Sequence, residues 1–262
     1  MSRKVIVSGS FDNLSSRDVR FLEEAAKLGE LHVLLWSDET VRNLEGGESN
    51  FPQEERLYML QAIRYVAQVT LVTGQFDPDT LPQVNAFQPD FWVVDTDNDA
   101  RAKQQYCESL GLVYRVLTPE DLQGFPVLEK TNSNLSPARK KVLVTGSYDW
   151  FHSGHVRFFE ETSQLGDLYV VVGHDANIRL LKGDGHPMFS QDERRYQVAA
   201  IRYVKGALIS SGHGWMDAEP EIASIKPDIY AVNEDGDKPE KRAFCQQHGL
   251  DYVVLKRTPK VG

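Results

Sequence analysis

Lys141-Val-Leu-Val-Thr-Gly-Ser-Tyr-Asp-Trp-Phe-His-Ser-Gly-His155 starts as a short apolar run, breaks at Gly146 and passes into a polar and aromatic loop. Val156, Phe158, Phe159, Thr162 and Leu165 follow at mixed three- and four-residue spacing, the pattern of a helix lying on a sheet over residues 154–165. Asp167-Leu-Tyr-Val-Val-Val-Gly173 is then a second buried strand. Outward from this strand–helix–strand unit the alternation continues. The patterns predict a helix over about 190–202, a strand over 207–210, a helix over 216–225, a strand over 228–232, a helix over 238–248 and a strand over 251–255. Strands alternating with helices imply an α/β fold with a parallel sheet covered on both faces.

The stretch has an earlier counterpart. Gly9-Ser-Phe-Asp12 aligns with Gly146-Ser-Tyr-Asp149, and Val19-Arg-Phe-Leu-Glu-Glu24 with Val156-Arg-Phe-Phe-Glu-Glu161; 14 of 31 positions are identical between 9–39 and 146–176. Ala62-Ile-Arg-Tyr-Val66 recurs as Ala200-Ile-Arg-Tyr-Val204, and Cys107 as Cys245. A period of about 137 residues is too long for a solenoid and reads as a duplicated domain. The boundaries expected are a first domain over 1–117, a linker over 118–140 containing Pro119, Gly124, Pro126 and Pro137, and a second domain over 141–262.

The 262 residues suit two such domains, and the apolar share of 41% is ordinary for a chain with a core. A net charge of −9 disfavours binding to nucleic acid, which needs a basic surface. No apolar run approaches the length of a membrane span, and the first residues lack the apolar core of a secretory signal. Two cysteines are too few for a disulfide framework or a metal cage, so a cytoplasmic, reduced protein is expected.

A parallel α/β sheet binds ligands at the carboxyl ends of its strands, where the loop carrying His152-Ser-Gly-His155 runs into a helix. The N–H groups of a helix start favour anions, and two imidazoles there can donate to phosphate oxygens. Gly146 and Gly154 are expected to let backbone approach a ligand closely. As a zinc pair the two histidines lack a nearby third ligand.

These residues resemble the HxGH nucleotidyltransferase superfamily. Tyr148-Asp-Trp-Phe-His-Ser-Gly-His155 is most similar to its cytidylyltransferase family, the glycerol-3-phosphate, choline-phosphate and ethanolamine-phosphate enzymes. Asp175 with Lys182-Gly183, Asp192-Glu-Arg194, Ile201-Arg-Tyr-Val204, Gly214-Trp215 and Leu255-Lys-Arg-Thr258 extend the likeness over about 120 residues. The resemblance implies two tandem Rossmann-like domains and transfer of a nucleotide, CMP from CTP, to a phosphorylated small alcohol or amino-alcohol, with magnesium accompanying the triphosphate. It assigns transition-state stabilisation to His152 and His155, phosphate contacts to Lys182, Arg257, Arg194 and Arg202, and nucleotide binding also to Gly146, Ser147, Tyr148, Asp149, Gly154, Trp215, Asp235 and Thr258. Asp175 is expected to support loops or an interface rather than to meet substrate.

Two other readings stand beside this one. An adenylyltransferase acting on a sugar phosphate shares the histidine motif. A non-catalytic nucleotide-binding regulatory protein is suggested by Pro259-Lys-Val-Gly262, which departs from the Gly-Ile-Ser-Thr of the family after Arg257-Thr258. The first copy has Ser15 and Asp18 in place of the histidines and Glu45 in place of Lys182, so its fold is expected to survive and its catalysis to be lost. Since the family commonly forms homodimers, the resemblance also implies an intramolecular pseudo-twofold pair, with a homodimer of whole chains possible on top of it.

Overall fold

The computed structural model describes residues 3–82, 88–128 and 139–256. The chain divides into two compact units between Gly124 and Phe125. The first contains β1 (Lys4–Gly9), α1 (Ser16–Ala26), β2 (Glu30–Trp36), α2 (Asp38–Glu45), α3 (Gln53–Ala62), β3 (Val66–Val72), β4 (Phe91–Asp95), α4 (Arg101–Leu110) and β5 (Val113–Leu117). The second contains β6 (Lys141–Gly146), α5 (Ser153–Ser163), β7 (Asp167–Val172), α6 (Asp175–Lys182), α7 (Gln191–Ala199), β8 (Val204–Ile209), α8 (Glu219–Ile225), β9 (Ile229–Asn233), α9 (Pro239–His248) and β10 (Asp251–Leu255).

Each unit is a five-stranded parallel sheet, ordered β3-β2-β1-β4-β5 and β10-β9-β6-β7-β8. The chain starts at the central strand, moves to one edge, then returns to build the other side. The order therefore reverses between β1 and β4 and between β6 and β9, and adjoining loops part there to leave a crevice. The unbroken apolar runs of β6 and β7 follow from burial on both faces. Leu143, Val171, Tyr230 and Val232 pack in a core with Ile222 of α8 and Cys245 of α9. The alternate residues Val142, Val144, Val170 and Val172 are fully buried as well. Cys107 and Cys245 occupy matching places in α4 and α9; both are free thiols, and burial pushes each up to about 11, which keeps them protonated.

Differences from the sequence reading are local. The helix expected to run to 202 stops at Ala199, and β8 begins at Val204 rather than 207. The helix expected from 216 is a single 3-10 turn over Gly214–Met216, then α8 from Glu219, which has proline in its first turn. Proline lacks an N–H and fits a helix start. Of the stretch 118–140, Arg20 donates to the Asp121 carbonyl within the first unit, while Phe125 packs on Tyr196 and accepts from Arg195 within the second. No helix among the described residues is long and apolar enough to cross a membrane.

Candidate active site

The loop between β6 and α5 lies at the carboxyl edge of the second sheet, beside the point where the strand order reverses. His152 is the N-cap of α5. Its Nδ1 accepts the Gly154 N–H at 3.0 Å, and the Nδ1 of His155 accepts the His152 N–H at 3.4 Å, completing a reciprocal capping box. The usual capping box satisfies two orphan N–H groups with a hydroxyl and a carboxylate. Here two imidazoles do the same work, which fixes their tautomers: with Nδ1 accepting, the ring proton of a neutral imidazole sits on Nε2. The rings lie 4.1 Å apart, centroid to centroid. Phe151 stacks on His155 at 5.6 Å, and Tyr148 meets it edge-on at 5.3 Å.

Gly154 and Gly146 carry a different reason from the one expected. A Cβ on Gly154 would stand 2.8 Å from Cε1 of His152, and one on Gly146 would stand 2.8 Å from Cζ of Tyr148. The space both glycines leave is filled by side chains of the loop itself rather than reserved for a ligand. Tyr148, with φ of 50°, is 4% exposed and forms the floor beneath His155, and burial pushes its phenol up. Its ring is a packing group of the loop.

Lys182, the last residue of α6, reaches across to the loop and donates from Nζ to Ser147 Oγ at 2.8 Å. Two histidines, a hydroxyl and an ammonium thus meet at one sheet edge. The helix α6 that delivers Lys182 was not foreseen from sequence. It is capped by His174, whose Nδ1 accepts the Asn177 N–H. Asn177 in turn exchanges two hydrogen bonds with the backbone of Gly214, at 2.8 and 3.0 Å. That pair holds the turn on which Trp215 is carried, 52% exposed. Asp235 sits in the exposed 3-10 turn after β9, at the same sheet edge on the other side of the strand-order reversal.

Asp149 and Arg194 behave as fasteners. Asp149 is 6% exposed; one carboxylate oxygen accepts from the Met188 and Phe189 N–H groups and the other contacts His186 Nδ1 at 2.9 Å. Burial raises its pKa, but the hydrogen bonds from His186 and the two N–H groups outweigh it and hold the carboxyl below its ordinary value. Arg194 is fully buried. Its Nε donates to the Phe189 carbonyl, one terminal nitrogen to the Ser147 carbonyl and the other to Asp175 at 2.7 Å. The phosphate contact expected of Arg194 is therefore corrected: all three nitrogens already tie the loop after β6 to the residues leading into α7. Arg202 is corrected as well. It lies in the turn just before β8, at the amino edge of the parallel sheet and so at the opposite end from the histidines. Asp175, expected to support loops or an interface, accepts from Arg194 and so belongs to this fastening. Arg257 and Thr258 lie outside the described residues.

The first unit repeats the fasteners without the chemistry. Asp12 accepts from the Asn50 and Phe51 N–H groups. Arg56 donates to Phe51, Ser10 and Asp38, matching Arg194 nitrogen for nitrogen. Ser15 and Asp18 form the capping box that His152 and His155 form in the second unit.

The sequence model of the family described as cytidylyltransferase-like matches residues 6–134 and 143–258. The chain belongs to this family. Both units of this cytidylyltransferase-like protein are thus members, the one with the histidines and the one without. Among similar proteins, the FAD synthase of Methanoculleus marisnigri is 34% identical over 119 residues, spanning 44% of this chain and 76% of that protein. The FAD synthase of Ferroglobus placidus is 38% identical over 120 residues, spanning 45% and 75%. The bifunctional protein HldE of Nitratiruptor is 32% identical over 121 residues, spanning 45% of this chain and 25% of that protein. Such membership makes the chain a nucleotidyltransferase-superfamily protein.

Proposed function

We propose that the second unit transfers the adenylyl group of ATP to the phosphate of a phosphorylated small molecule. An oxygen of the acceptor phosphate attacks the α-phosphorus, the bond from that phosphorus to the bridging oxygen of the β-phosphate breaks, and pyrophosphate leaves. The new linkage is a phosphoanhydride. Negative charge on the non-bridging oxygens and the leaving group must be met at the transition state, and positioned N–H donors do this best where they need no reorganisation. The observation that carries the reading is the imidazole pair: the helix cap occupies both Nδ1 atoms, which leaves Nε2–H as the donor edge of each ring. Lys182, beside Ser147, supplies the positive charge of a phosphate clamp.

The choice of adenylyl rests on the relatives. FAD differs from its phosphorylated flavin precursor by an adenylyl group, so proteins named FAD synthases join AMP to a phosphate monoester. This favours the adenylyl reading over the CMP transfer expected from the motif. Among the described residues no group of three or more His, Cys, Asp or Glu is placed to hold a metal ion. Magnesium accompanies the triphosphate as part of the substrate in this reading, in keeping with its habit of binding through phosphates and a few protein oxygens.

The test is pyrophosphate release by the intact chain, with ATP and CTP each paired with riboflavin 5′-phosphate, a sugar 1-phosphate, glycerol 3-phosphate and phosphoethanolamine. Turnover with ATP at least ~10-fold above CTP, a preference of about 1.4 kcal/mol in transition-state binding, is expected. A preference for CTP would return the motif's reading, and no pyrophosphate from any pair would favour a non-catalytic nucleotide-binding protein.

A further inference from the structure

The helix α6 carries the phosphate clamp at its end and a second fastening near its start. Lys182 is its last residue, and the buried Asn177 stands earlier on it, about 7.5 Å away along the axis. The Asn177 amide meets the backbone of Gly214 in both senses: Nδ2 donates to the carbonyl at 3.0 Å, and Oδ1 accepts the N–H at 2.8 Å. His174, the cap of the same helix, donates from Nε2 to the Gly212 carbonyl at 2.9 Å, and its N–H reaches Ser210 Oγ at 2.9 Å. Gly173 lets the two segments close, since a Cβ there would stand 2.6 Å from Ile178 Cδ1 and 3.4 Å from Asp217 Oδ2. The helix and the turn over Gly214–Met216 are therefore one body, with Lys182 on the helix and the exposed indole of Trp215 on the turn.

The first unit shows which part of this serves the fold. Thr40 stands in the place of Asn177 and is equally buried, and its hydroxyl donates to the Val72 and Gly74 carbonyls. That closes the helix against the end of β3 without an amide. Trp36 replaces Gly173, Glu45 replaces Lys182, and no 3-10 turn occurs among the described residues between β3 and β4. A hydroxyl has one proton to give, whereas a carboxamide offers a donor and an acceptor side by side. The amide thus goes with the aromatic turn and the lysine, and the fold is built without it.

We propose that Asn177 is a positioning residue that fixes Trp215 relative to Lys182, so that one helix sets both where the flat base of a nucleotide packs and where its phosphates are held. This rests on the adenylyl-transfer reading, in which Lys182 meets phosphate. The indole offers a broad apolar face to a base, and its worth depends on being in place before the ligand arrives. Asn177 touches neither reactant and acts through Gly214.

A double-mutant cycle in the intact chain tests this, read by calorimetric binding of the α,β-methylene analogue of ATP, which cannot release pyrophosphate. Asn177→Thr, the residue of the first unit, should weaken binding ~10-fold, as should Trp215→Leu, and the double variant should bind no more weakly than Trp215→Leu alone. In turnover, Asn177→Thr should raise the KM for ATP by a similar factor and change kcat by less than ~3-fold. Full affinity in Asn177→Thr, effects of the two substitutions that multiply, or no binding of the analogue by the wild type would each overturn the proposal. Asn177→Ser runs the same cycle if Asn177→Thr does not fold, and loss of fold in both would make Asn177 a residue of the fold alone and overturn it too. Failure of the adenylyl reading shows separately, as analogue binding without pyrophosphate release from ATP and any acceptor.

Discussion

The two units share their fasteners and differ in what the fasteners hold. Asp12 and Asp149 tie the same loop, Arg56 and Arg194 clamp the same carbonyls, and Gln53 and Gln191 accept the same helix-start N–H, from Asp38 and Asp175. The groups that changed are His152, His155, Lys182 and Gly173 against Ser15, Asp18, Glu45 and Trp36. A residue kept in a copy that lost its chemistry serves the fold. Among those that changed, His152, His155 and Lys182 are the ones the proposed chemistry uses. The protein thus carries its own control for separating the two roles.

The sharpest way to break this comparison is through the clamps. Arg194→Ala leaves two carbonyls and Asp175 without their donor and opens a cavity in a fully buried place. It should cost about 3–5 kcal/mol, in the range for removing one partner of a buried charged pair, and Arg56→Ala should cost a similar amount. Chemical denaturation checks both. If Arg194→Ala instead keeps its stability and loses only affinity for triphosphate, the fastener reading fails.

Next in size is the exchange of one cap for the other. His152→Ser with His155→Asp should retain the capping box, since the first unit builds it from those side chains. Stability should change by less than about 1 kcal/mol, while turnover falls at least ~100-fold through loss of preorganised donors. A double variant that unfolds would mean the loops are not interchangeable, and one that remains active would remove the histidines from the chemistry.

A smaller effect is expected at Lys182. Lys182→Ala should raise the KM for triphosphate or acceptor ~10-fold, about 1.4 kcal/mol of binding, with the fold intact. Steady-state kinetics with each reactant varied in turn reads this, and unchanged constants for both would count against the clamp.

The smallest concerns pH. Asp149 is held below its ordinary range, so its carboxylate stabilises the native state above the unfolded value near 4, and that contribution is lost as pH falls through the folded value. The stability difference between the wild type and Asp149→Asn should be present at pH 5 and close in more acid solution. A difference that persists undiminished at pH 2 would show that the carboxylate charge is not what ties the loop.

Much of this was legible in sequence, for reasons that explain what was not. The apolar runs of β6 and β7 and the mixed spacing across α5 are local patterns, and they were read within a residue or two. The histidine loop is contiguous, so its placement followed from the strand before it and the helix after it. Arg194 was given a phosphate contact by the resemblance, because its partners, Ser147 and Asp175, lie 47 and 19 residues away and leave no local pattern. Yet the signal was present: Gln53-Glu-Glu-Arg56 and Gln191-Asp-Glu-Arg194 match although the histidines beside them do not. Arg202 was misplaced for a different reason. The resemblance matched Ile201-Arg-Tyr-Val204 by its letters, although a residue between a helix and the strand after it lies at the amino edge of the sheet.

The cap at the start of α5 has a consequence for how such a chain changes over time. A helix start needs two acceptors at fixed positions and is indifferent to which side chains provide them: hydroxyl and carboxylate in one copy, imidazole and imidazole in the other. Mutation can therefore exchange one pair for the other while the helix start keeps its two acceptors. The scaffold holds either pair, so the cap alone does not dictate which of the two a copy carries.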